Sequence, residues 1–164
     1  MNLTETIKQE MILRKDQTNH DVAHFLKVAS WARLLAISEG LSSSMVEQIE
    51  ITAYLHDIAC PLCREKYGSA PGPLQEKEGM ILADKLLSKY DIDRERIVYI
   101  VGHHHTLDQI DGIDYQIMIE ADYLVNADEA NYSYSAIQSF YSKYFKTKLG
   151  KEILYKMYLE KKMD

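Results

Sequence analysis

Apolar residues return every three or four positions along nearly the whole chain, and strand-like alternation bounded by turn signals is scarce. This period predicts an all-α fold. A first helix is expected after a Thr4 cap, running to about residue 15, and Thr18 or Asn19 caps a second that ends at Gly40. On the second helix Ala23, Leu26, Ala29, Ala32, Arg33, Ala36 and Ile37 fall on one side, which is expected to face the core. Ser42 to Ser44 offer a cap for a third helix over 45–58, where Val46, Ile49, Ala53 and Leu55 or His56 share a side. The stretch 59–74 holds all three prolines and two of the seven glycines, so it reads as a long loop with at most a turn of helix over 62–67. Helical pattern resumes over 75–90, with Met80, Ala83, Leu86 and Leu87 inward, and Asp93 caps a segment over 94–104. Segments 113–128, 135–145 and 147–161 complete the set. No internal repeat or linker divides the sequence, so 1–164 is read as one domain, with core motifs over 20–129 and C-terminal helices over 130–164.

Composition narrows the class. With 46% hydrophobic and 27% charged positions the 164 residues have the balance of an ordinary soluble domain, which excludes a disordered chain. Two cysteines are too few for a secreted disulfide framework. A net charge of -6 argues against a duplex nucleic-acid binder, which needs a basic face, but is compatible with a nucleotide substrate. The start Met1-Asn2-Leu3-Thr4-Glu5 lacks a signal peptide's basic and apolar segments, and no stretch approaches the roughly 20 apolar residues of a membrane span. A cytoplasmic protein without a membrane partner is expected.

The histidines carry the chemistry. All six, His20, His24, His56, His103, His104 and His105, lie in the first two thirds of the chain. His24 is on the inward side of the second helix, and His56-Asp57 closes the third among apolar neighbours. Asp122 is likewise embedded in an apolar helix, Ile117 to Val125. A buried carboxylate is costly unless paired or bound to metal, so a cation among these groups offsets the cost. Two imidazoles and two carboxylates form a mixed nitrogen and oxygen set, suited to manganese, iron, cobalt, zinc or nickel. Asp57 can offer one oxygen to that ion and leave the other for a second ion or an attacking water.

The order His, His-Asp, His, Asp in an all-helical chain of this size resembles the HD-domain metal-dependent phosphohydrolases, over about 20–129. The resemblance implies an HD-type helical bundle with metal ligands His24, His56, Asp57 and Asp122. It implies hydrolysis of a phosphate ester or anhydride of a small molecule, a nucleotide being the leading class. Asp57 would hold the ion and orient water, while His103 and His104 would bind a second ion or hydrogen-bond the phosphate and leaving group. Family members with two metals carry a His four residues before a glycine; here Gln75 stands in that relation to Gly79, so one ion is expected rather than two, with Glu76 or Glu78 the carboxylates able to substitute. Cys60 stands where many members have a phosphate-contacting Lys, leaving Arg33, Arg64 or Lys66 to supply that charge. Two readings compete: a di-iron oxygenase with the same ligand order, and a non-catalytic nucleotide-sensing module.

Other features read more plainly. His20 is expected at the surface, and the triple histidine doubles as a favourable helix C-terminal end. Cys60 and Cys63 are expected to be ordinary thiols in the loop. Asp108, Asp111 and Asp114 read as turn and cap residues around Gly112, and Glu120 as an acceptor for a ligand His or a solvent-facing group. Pairs such as Tyr141 with Tyr144 and Tyr155 with Tyr158 suggest a packed or homodimer-forming helical surface. Lys161-Lys162 reads as a solvated tail.

Overall fold

Three long helices, α2 (Asn19–Ser38), α3 (Ser43–Leu55) and α7 (Ile113–Glu129), pack on one another and set the framework of the computed structural model, which describes residues 1–161. Around them lie α1 (Leu3–Ile12), α4 (Cys60–Tyr67), α5 (Gly72–Leu87), α6 (Glu95–Val101), α8 (Tyr134–Tyr144) and α9 (Lys148–Leu154), followed by a π-helical turn over Tyr155–Leu159. No strand occurs among the described residues, as the helical period predicts. None of the helices is long and apolar enough to cross a membrane. Lys161 is exposed; Lys162 lies outside the described residues.

The helix ends follow local chemistry. Thr18 opens α2 in a capping box, its hydroxyl accepting from the Asp21 N–H while the Asp21 carboxylate accepts from the Thr18 N–H. At the other end Gly40 adopts φ +71°, and the N–H groups of Leu41 and Gly40 close on the carbonyls of Ala36 and Ile37. This terminator needs a left-handed residue, which glycine supplies without strain. Asn2, rather than Thr4, caps α1.

Two expectations are corrected. The inward side of α2 is formed by Phe25, Val28, Ala29, Ala32, Leu35 and Ala36, whereas Ala23, Arg33 and Ile37 are exposed. Because α2 packs against both α3 and α7, its buried sector is wide, and the small alanines do not define its centre. The second correction concerns 59–74. Most of it is helix, with only four residues between α4 and α5. Pro61 and Pro73 sit in first turns, where a missing N–H costs nothing, so these prolines start helices instead of breaking them. Cys60 and Cys63 are therefore buried thiols of α4, not loop residues. On α5, Ala83, Leu86 and Leu87 are buried, but Met80 stays 37% exposed and covers Gly102 at the end of α6.

The C-terminal helices form a smaller cluster of Leu124, Ala127, Ile137, Phe145, Leu154 and Leu159 against the far side of α7. Glu120 anchors it. Fully buried, this carboxylate accepts from Gln116 Nε2 at 2.8 Å, from the N–H groups of Lys146 at 2.5 Å and Thr147 at 2.9 Å, and from the Thr147 hydroxyl. A side chain at Gly150 would collide with it at 2.2 Å, so the approach of α9 requires glycine. Glu120 neither meets a ligand His nor faces solvent, contrary to both expectations. Asp111 and Asp114 bind Arg96 at 2.7 Å and tie α6 to the start of α7.

Candidate metal centre

His24 on α2, His56-Asp57 at the end of α3 and Asp122 on α7 come together where the three helices meet. The Nε2 atoms of His24 and His56 are 3.2 Å apart. Asp122 Oδ1 lies 3.3 Å from the first and 3.4 Å from the second, and Asp57 Oδ2 is 3.3 Å from each. Both imidazoles are buried, while Asp57 keeps 28% of its side chain exposed. The centre thus has dry walls and one face accessible from outside.

The other ring nitrogens determine what the centre offers. His24 Nδ1 donates to Glu129 Oε2 at 2.9 Å, and His56 Nδ1 to the Ala53 carbonyl at 2.7 Å. With protons on Nδ1, the neutral rings direct Nε2 lone pairs toward the carboxylates. Two lone pairs and two anionic oxygens cannot satisfy one another without a cation. The electrostatics agree: burial opposes a charge on His24, yet Asp122 and Asp57 lift its pKa to about 10. His56 is likewise raised against burial, by the Asp57 charge and by Asp122. Asp57 and Asp122 are held below the usual carboxylate range by these imidazoles, although burial pushes the other way. The donor set fits a divalent transition ion, whose binding would displace the protons that otherwise supply the positive charge.

A second cluster shares Asp57. His104 Nε2 lies 3.3 Å from Asp57 Oδ1, and His105 completes the group. His104 Nδ1 faces the Val101 carbonyl at 2.8 Å, and its Nε2 is buried without a hydrogen-bond partner. Gln75, in the position where the family resemblance implies a His, faces His105 Nε2 with Oε1 at 2.9 Å.

The remaining sequence candidates divide. His103 stands apart, stacked on Tyr99 at 4.1 Å with Nδ1 on the Tyr99 carbonyl, so His105 takes the place expected for it. Glu76 accepts from the His105 N–H and the Thr106 hydroxyl, and thereby holds the histidine turn instead of joining the cluster. Glu78 is engaged by Lys66 at 2.8 Å and Tyr67 at 2.7 Å, which also removes Lys66 as a free cation. Arg33 pairs with Glu50 beside α1, in a hollow separate from the centre. Arg64 alone of the three cations borders the site, bonded to Asp21 at 2.6 Å. Cys60 lines the same cavity, and burial pushes its thiol up, so it stays protonated and cannot replace a lysine's charge.

Glu129 is the functional neighbour that sequence reasoning missed. It holds His24 and also lies 2.8 Å from Lys27 and 3.3 Å from the exposed His20. Its signal was legible: Asn126 and Glu129 follow Asp122 by four and seven residues, one face of a helix. Asn126 donates to Asp122 Oδ1 at 2.9 Å. Two cavities flank the centre: one of about 220 Å³ on the α2 and α4 side, and one of about 420 Å³ between the histidine turn, α7 and α8.

Comparison with known proteins follows the same outline. The HD domain family model matches residues 21–130. Among solved structures the chain is similar to a crystal structure described as a predicted HD superfamily hydrolase from an uncultured Thermotogales bacterium. The two are 23% identical, the match covers 97% of this chain and 92% of that one, and the TM-score is 0.62, a likeness of fold. No curated protein matches.

Proposed function

The chain belongs to the HD domain family, and from that premise we propose that it is a metal-dependent phosphohydrolase acting on a phosphate ester or anhydride of a small molecule, with a nucleotide the leading class. The observation that carries this reading is the convergence of His24, His56, Asp57 and Asp122, with both imidazole Nδ1 atoms already engaged. Manganese, iron, cobalt, zinc or nickel suits these donors. Such an ion, when bound, lowers the pKa of a coordinated water toward neutrality and polarises a phosphoryl oxygen.

The chain's own residues supply the rest. Asp57 presents Oδ2 to the two imidazoles and Oδ1 to His104, so it can hold the ion with one oxygen and accept a water proton with the other. His104 Nε2, otherwise unpartnered, is available to a phosphate oxygen or the leaving group. Arg64 lies at the edge of the smaller cavity, where exchange from Asp21 to phosphate costs one ion pair and gains another. Glu129 fixes the His24 ring through Nδ1.

A second reading, in which Asp57, His104 and His105 would hold a further ion, is favoured by that cluster. It admits a dinuclear hydrolase or the di-iron oxygenase. Elemental mass spectrometry on wild type and Asp57→Ala, combined with phosphate release from a nucleotide panel, separates these readings. One ion per chain and phosphate release, both lost in the variant, are expected. Two irons with oxygen consumption would replace the hydrolase with the oxygenase, and full turnover by Asp57→Ala would sink the mechanism.

A further inference from the structure

The two cavities beside the metal centre differ in character, and the difference bears on the substrate. The smaller is lined by Asp21, Asp57 and Glu129 as well as His20 and His24, and Arg64, its one lysine or arginine among the described residues, is held by Asp21. A chain of phosphates extending into it would meet carboxylates. The larger cleft carries His104, His105, Asp122 and Asn126, and its remaining lining is apolar or aromatic, with Leu107, Ile119, Tyr132 and Phe140 among it. No lysine or arginine lines it among the described residues. It too lacks countercharge for further phosphates, but it offers an apolar wall directly beside the Asp122 end of the centre.

The wall is built by defined elements. Asn131, at φ +50°, turns the chain after α7 so that the Tyr132 N–H closes on the Ala127 carbonyl, and Tyr132 then stands at the mouth, 39% exposed. Tyr123 stacks on Phe140 at 3.7 Å and meets Tyr132 at 5.4 Å, giving a continuous aromatic side. Ala136 on α8 faces the same cleft and leaves it open by its small size.

Resting on the phosphohydrolase reading, we propose that this cleft is the leaving-group subsite, and that the substrate is a phosphate monoester whose alcohol carries a compact, uncharged, planar ring. Hydrolysis forms a bond from water oxygen to phosphorus and breaks the ester P–O bond. The departing oxygen takes one of the water's protons, and the ring-bearing alcohol leaves through the cleft while inorganic phosphate remains at the centre. Tyr132 and Ala136 are specificity-determining, the first by contact and the second by vacating space.

The test measures binding separately from turnover. Phenylphosphonate and methylphosphonate, neither of which has an ester bond to cleave, are titrated calorimetrically into manganese-incubated wild type, Ala136→Trp and Tyr132→Ala. Both substitutions are at exposed positions, and an unchanged circular dichroism spectrum and unfolding midpoint are required of each variant before titration. Wild type is expected to bind the phenyl compound about tenfold tighter, the gain of burying one ring face. Ala136→Trp should abolish that preference without weakening methylphosphonate, and Tyr132→Ala should reduce it severalfold. Equal binding of the two phosphonates by wild type, or an undiminished preference in Ala136→Trp, overturns the subsite. Phosphate release from phenyl phosphate, followed in the same preparations, reports on the hydrolase reading independently: a phenyl preference without release leaves a ring-binding cleft beside the centre but removes the hydrolase and, with it, the leaving-group role.

Discussion

Glu120 and Asp122 are two residues apart on α7, roughly 200° around the helix axis, so the same functional group enters the protein on opposite sides. Glu120, fully buried, is satisfied by two backbone N–H groups, an amide and a hydroxyl, all neutral dipoles. Asp122 faces two imidazoles whose charged forms it favours, and a second carboxylate close by. The first environment is complete with protein alone; the second calls for a cation. Burial of a carboxylate in an apolar helix therefore marks no site by itself. What distinguishes the two is whether the donors around the oxygens are already proton-bearing dipoles or ring nitrogens with lone pairs to share. Asp114, a third carboxylate on the same helix, takes an intermediate course, with the permanent cation of Arg96 at 2.7 Å.

The sharpest way to break this contrast is to remove each carboxyl in turn. Asp122→Asn should cut bound metal at least tenfold and phosphate release by about 100-fold or more, since an amide is a poor ligand for such an ion; elemental analysis and a phosphate assay read both. Glu120→Ala should leave metal stoichiometry unchanged and instead cost about 2–4 kcal/mol of folding stability, because buried donors of Lys146, Thr147 and Gln116 lose their acceptor. Urea unfolding measures it, and loss of metal in this variant, with the fold retained, would end the distinction. Glu129→Gln sharpens the contrast: about 10–100-fold weaker metal binding is expected in a competition titration, with the unfolding midpoint little changed. The smallest effect belongs to Asp114. Burial opposes its charge, but Arg96 and the Tyr115 N–H hold its pKa below the usual value of 3.8. Its stabilisation is therefore complete above that value and is lost as the pH falls through the lower folded one. Asp114→Asn should destabilise the protein by about 1–2 kcal/mol at pH 7 and flatten the loss of stability seen in wild type below the carboxylate range.

How far the sequence reveals these environments varies with the element. The positions of α2 and α3 are legible because caps at Thr18 and Ser42 and the glycine at 40 are local devices, whereas α7, which opens at Gly112 without a side-chain cap, is legible from its apolar run. The sector that α2 buries was not, since it depends on two packing partners, and its alanines fit several rotations. Proline's role in 59–74 was ambiguous because a helix start and a helix break make the same local demand, a residue without a needed N–H. The ligand order pointed to His24, His56, Asp57 and Asp122, and the structure brings these four side chains together. Among the three consecutive histidines, spacing had no power to choose, because α6 ends at Val101 and the following turn sets each ring's direction. Likewise Glu120 and Asp122 look alike in sequence; only the C-terminal segment, folded back over α7, tells them apart.

The four converging side chains come from α2, the end of α3 and α7, and Asp122 follows Asp57 by 65 positions. On the ribosome, at about 5–20 residues per second, His24, His56 and Asp57 are made on the order of seconds before the carboxylate that joins them. During that interval the nascent chain holds an incomplete set of donors and no α7 to bury it. Metal capture is thus expected to be a late event of biosynthesis, coupled to the docking of α7.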